Sequence, residues 1–79
     1  MIFLIEYDRR QGRVVTLRTF DNAERRKAEE ERLELELDLN RRGIVREVVL
    51  FEAGTEAALR RTHRRYFEDL ADLTKPPAS

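Results

Sequence analysis

Between Asp21 and Gly43 the chain reads DNAERRKAEEERLELELDLNRRG, and inside that run Leu33, Leu35, Leu37 and Leu39 alternate with Glu34, Glu36 and Asp38. Strict alternation is the period of a half-buried strand. The residue types oppose that reading. Leu, Glu, Arg, Lys and Ala are helix formers, the run holds no β-branched residue, and Glu is depleted in strands. Asp21 and Glu24 have the spacing of a capping box. Arg41 and Arg42 suit the negative end of a helix dipole, and Gly43 suits the left-handed position that closes a helix. Together these signals predict one helix of about twenty residues, about 30 Å long.

On a helix, where successive side chains turn by about 100°, Ala28, Leu35 and Leu39 fall on one side and Ala23, Leu33 and Leu37 on nearly the opposite side. A helix that is apolar on two sides is expected to be covered on two sides. One side has this chain's own sheet to cover. The other calls for a second helix or a second copy of the chain.

Strands are expected on both sides of this helix. Ile2 to Tyr7 is a β-branched and aromatic run with Phe3, Ile5 and Tyr7 on one face and Ile2, Leu4 and Glu6 on the other. Arg13 to Phe20 is a second strand, joined to the first through Arg10-Gln11-Gly12 with Gly12 in the left-handed bulge position. That loop pairs Tyr7 with Val15, Ile5 with Leu17 and Phe3 with Thr19. Ile44 to Glu52 reads as a third strand. Thr55 caps a second helix, expected over Glu56 to Leu73, whose apolar stripe is Leu59, His63, Tyr66, Phe67, Leu70 and Leu73. The expected fold is α+β: a two-layer ββαβα sandwich with a three-stranded mixed sheet, order 2-1-3, and two helices on one face. Residues 1–73 are expected to form one small domain, and 74–79, which hold both prolines, a disordered tail.

The chain's 79 residues give a domain near the size at which burial alone becomes a marginal source of stability. With no cysteine, neither disulfides nor thiolate metal sites add to it. Sixteen basic and sixteen acidic groups cancel, which argues against nonspecific coating of nucleic acid or anionic membrane. Arginine supplies nearly all of the positive charge, as it does in proteins of GC-rich bacterial genomes. The opening MIFLIEYDRR is too short in apolar residues for a secretory leader, and a cytoplasmic protein is expected.

Four groups of residues carry candidate chemistry. Arg9, Arg10, Arg13, Arg41 and Arg42 are expected at one end of the sheet, where they would meet a phosphate or an acidic partner. The plainer reading gives Arg41 and Arg42 to the helix end and leaves the others as solvated turn residues. The interleaved THRRYF of residues 62–67 has the residue types of a nucleic-acid surface, but Tyr66 and Phe67 are expected on the inward stripe of the second helix while Arg64 and Arg65 point outward, so they would not share a surface. His63 has no second ligand or nucleophile within a turn, which fits a partly buried structural residue. Glu29, Glu30, Glu31, Glu34, Glu36 and Asp38 lie among basic residues, as solvated ion-pairing charges do.

No cofactor, no metal and no enzymatic chemistry is expected. The leading expectation is an interaction module that self-associates as a homodimer, with Ile2, Leu4, Leu33, Leu37, Val48 and Leu50 as contact residues and room for another protein partner. The alternative is a nucleic-acid-binding accessory protein that uses the five arginines.

Overall fold

A computed structural model describes residues 1–67. Its elements are strand β1 (Ile2–Asp8), strand β2 (Arg13–Phe20), a 3-10 turn (Asn22–Glu24), helix α1 (Arg25–Arg41), strand β3 (Glu47–Glu52), helix α2 (Glu56–Thr62) and the short helix α3 (Arg64–Phe67). The class is α+β, and the strands lie in the order β2-β1-β3. Each pairing with β1 is antiparallel, so the sheet is antiparallel and not mixed. Strands β2 and β3 run in the same direction but never touch as neighbours.

The hairpin keeps Ile5↔Leu17 and Phe3↔Thr19 but pairs Tyr7 with Val14. Its loop is one residue longer than expected. The Asp8 carboxylate accepts from Arg10 N at 2.9 Å and Gln11 N at 3.1 Å, and Gly12 N donates to Asp8 O at 2.8 Å. Gly12, at φ 65°, supplies the left-handed residue this turn needs. The extra residue is absorbed as a bulge at Val15, which is where the register shifts between Glu6 and Tyr7.

The capping box at Asp21 opens the 3-10 turn that leads into α1, so the α-helix itself begins at Arg25, later than expected. Glu24 Oε1 accepts from Asp21 N at 3.0 Å. At the other end Gly43, at φ 68°, donates to Asn40 O at 3.1 Å while Ile44 N donates to Leu39 O at 2.9 Å. This pair of bonds satisfies carbonyls that the helix end leaves open.

The expectation of both helices on one face is corrected. Phe3, Ile5 and Tyr7 pack with Leu59 and Tyr66, so α2 and α3 cover that face. Ile2, Leu4 and Phe20 pack with Ala28, with Val48 and Leu50 alongside, so α1 covers the other. The reason lies in β1, where Ile2, Phe3, Leu4 and Ile5 are all at 2% exposure or less. A central strand apolar on both faces needs cover on both, and each such side chain contributes about 1.5–3 kcal/mol when removed from water.

The second helix is also shorter than expected. It breaks at His63 (φ −116°, ψ 53°), and α3 restarts at Arg64. Leu70, Leu73 and the tail at 74–79 lie outside the described residues.

Candidate functional site

The outer side of α1 carries two of the exposed large apolar side chains among the described residues. Ala28 and Leu39 are buried against the sheet, with Leu35 partly buried, whereas Leu33 and Leu37 are 53% and 52% exposed. Because α2 and α3 lie across the sheet, they do not reach this side. The two leucines sit one helical turn apart and point directly away from the sheet. Around them are Arg26, Glu29, Glu30 and Arg32, which with Leu33 line a shallow depression.

The other four expected contact residues are corrected by the same packing. Ile2 and Leu4 are buried beneath α1, and Val48 and Leu50 are partly buried against the same cluster. That face also holds Glu6, Thr16, Arg18 and Arg46. Those charges find each other. Thr16 Oγ1 donates to Glu6 Oε1 at 2.9 Å, Arg46 Nη1 donates to Glu6 Oε2, and Arg18 Nη1 lies 2.7 Å from Glu31 Oε2 on α1.

The five arginines do not form one unpaired cluster. Arg9 Nε reaches Glu47 Oε2 at 3.4 Å. Arg41 and Arg42 turn back to Asp38 at 3.8 Å and 3.0 Å, one helical turn away. Arg10 and Arg13 have no carboxylate partner among the described residues. The hairpin tip does meet the turn after α1, since Asp8 and Arg10 share a depression with Gly43, Ile44, Val45 and Arg46.

A second cluster ties α3 to the sheet. Tyr66 donates its hydroxyl hydrogen to Glu47 Oε1 at 2.7 Å, and Arg65 Nη2 donates to the same oxygen at 3.1 Å. The Tyr66 ring meets Tyr7 edge-on at 5.0 Å, and the Arg65 guanidinium lies over it at 4.2 Å. The expected separation of Arg65 from Tyr66 is therefore corrected: the helix breaks at His63, and both residues belong to α3, which restarts at Arg64. His63 itself stacks on Phe51 at 3.8 Å and 18°. Sequence reasoning missed Glu47 as the hub. No short-range signal marks it, since its partners are 18, 19 and 38 residues away.

The Tyr66 hydrogen bond, followed by the Arg65 and Arg9 charges, outweighs desolvation and holds the Glu47 carboxyl below its ordinary value of 4.5. Burial, and then the neighbouring Glu47 carboxylate, raises the Tyr66 hydroxyl above its ordinary 10.0. The Glu47 contribution to stability is thus present above pH 4.5 and is lost as the pH falls through the lowered folded value. Tyr66→Phe removes the first of these causes. Its destabilisation, read from urea midpoints, is expected to be larger at neutral pH than in acid below that range; an equal loss at both would contradict the assignment.

Among the described residues, no group of three or more His, Cys, Asp or Glu is placed to hold a metal ion, and no helix is long and apolar enough to cross a membrane. No family model, curated protein or solved structure matches this chain.

Proposed function

We propose that this chain is a non-enzymatic interaction module that self-associates as a homodimer through the outer side of α1. The observation that carries the reading is the pair Leu33 and Leu37, 53% and 52% exposed on a helix whose inner side is anchored to the sheet. Supporting a binding role over catalysis, His63 is engaged in a ring stack, and Glu6 and Glu47 are engaged in buried or partly buried ion pairs. The nucleic-acid reading has less support, since Arg9, Arg41 and Arg42 already face carboxylates of their own chain.

Burying the exposed half of four leucines, two from each copy, stabilises the pair by about 1 kcal/mol each. Association costs at least about 4 kcal/mol in lost freedom. The leucines alone therefore only offset that cost, and a weak dimer with a dissociation constant of about 10–1,000 μM, or about 4–7 kcal/mol net, requires the helix surface around them to be buried as well. Backbone amide NMR spectra from about 20 μM to about 1 mM should show shifts that move with concentration and map to α1 around Leu33 and Leu37. Leu33→Glu with Leu37→Glu should abolish them without disturbing the fold. Shifts that stay constant, or that map only to other elements, would overturn the proposal.

A further inference from the structure

The charges that flank Leu33 and Leu37 assign a direction to the second copy. We infer that two α1 helices pack antiparallel, about a two-fold axis that crosses the helix at the level of Leu35, with Glu30 of each copy against Arg41 of the other. This inference rests on the self-association proposed above and specifies its geometry.

Glu30 lies about 7.5 Å from that level towards the start of the helix, and Arg41 about 9 Å towards its end, at 1.5 Å per residue. An antiparallel two-fold brings these two levels to within about 1.5 Å of each other. The flanks agree as well. Viewed down the helix, Glu30 stands about 20° and Arg41 about 40° to the same side of Leu37. A two-fold of this kind sets each flank against the same flank of the other copy, so Glu30 meets Arg41 twice by symmetry. Leu33 then lies level with Leu37 of the second copy, beside the depression formed by Arg26, Glu29, Glu30 and Arg32. On the opposite flank, Glu29 comes level with Asn40, whose amide can donate to it.

Both charges are free to take better partners. Glu30 is 66% exposed and its contact is Arg26 at 3.6 Å; Arg41 is 77% exposed and its contact is Asp38 at 3.8 Å. Exposed contacts of that length contribute little. A parallel arrangement would place Glu30 level with Glu30 and Arg41 level with Arg41. The charge pattern therefore selects one direction, as flanking charges do in paired helices.

Glu30→Arg and Arg41→Glu variants of the full chain test the seam. Alone, each variant places like charges at both contacts, and its self-association is expected to weaken about tenfold or more. Mixed in equal amounts they regain opposite charges at both contacts, and a heterodimer of near wild-type affinity should form. Circular dichroism confirms that each variant remains folded. Leu33→Cys and Leu37→Cys, in a chain with no native cysteine, should form the 33–37 disulfide between copies faster than either like pair. If the wild type associates but the mixture gains nothing and like pairs cross-link first, the antiparallel seam is overturned while self-association stands. If the wild type does not associate at all, both fail.

Discussion

Arg46→Ala is expected to cost about 3–5 kcal/mol, a large share of the stability of a domain this small. Arg46 is the cation that faces Glu6, whose side chain is only 6% exposed on the α1 side of the sheet. With the guanidinium gone, that carboxylate keeps the Thr16 hydroxyl, at 2.9 Å, as its remaining partner. One neutral hydrogen bond does not offset the desolvation of a charge. The pair itself is a modest stabiliser, because Arg46 Nε is buried without a hydrogen-bond partner among the described residues. Glu6→Leu combined with Arg46→Met should therefore recover most of the loss, to within about 1–2 kcal/mol of the wild type. Urea denaturation of the three variants reads all of this. A loss well under about 1 kcal/mol for Arg46→Ala would show that Glu6 is not held by this contact.

Leu59→Ala is expected to cost about 2–5 kcal/mol, since Leu59 is fully buried among Phe3, Ile5 and Tyr7. The location of the damage is as informative as its size. Because α1 covers the opposite face, amide exchange should accelerate in α2 and α3 well before it does in α1. Equal loosening of α1 would mean that the helices share a face and that the two core clusters are one. Leu33→Ala serves as the contrast: at half exposure and outside both clusters, it should change monomer stability by no more than about 0.5 kcal/mol.

The strands, their order and most of the hairpin register were legible because local chemistry specifies them, although β3 starts at Glu47 and not at Ile44. β-branched and aromatic runs marked β1 and β2, and the Asp21, Glu24 and Gly43 signals bounded α1. The bulge at Val15 was not legible, because it depends on the Asp8 carboxylate lengthening the loop. The side of the sheet that α1 covers was misjudged for a different reason. Glu6, Thr16, Arg18 and Arg46 look like solvated residues one by one, and only their mutual contacts make that face coverable. Arg46 is 40 residues from Glu6, beyond any sequence window. The break at His63 carries no glycine or proline to announce it. At the candidate interface, the zigzag of leucines was read correctly as two helix sides, but Ile2, Leu4, Val48 and Leu50 were assigned to a surface that α1 occupies.

Sedimentation equilibrium of the full chain, from about 20 μM to about 1 mM, tests the outer side of α1 most directly. The weight-average mass is expected to climb with concentration from 9.4 kDa towards twice that value. It should stay at the lower limit for the variant carrying Glu at both 33 and 37. A wild-type mass fixed at 9.4 kDa across the whole range would contradict it.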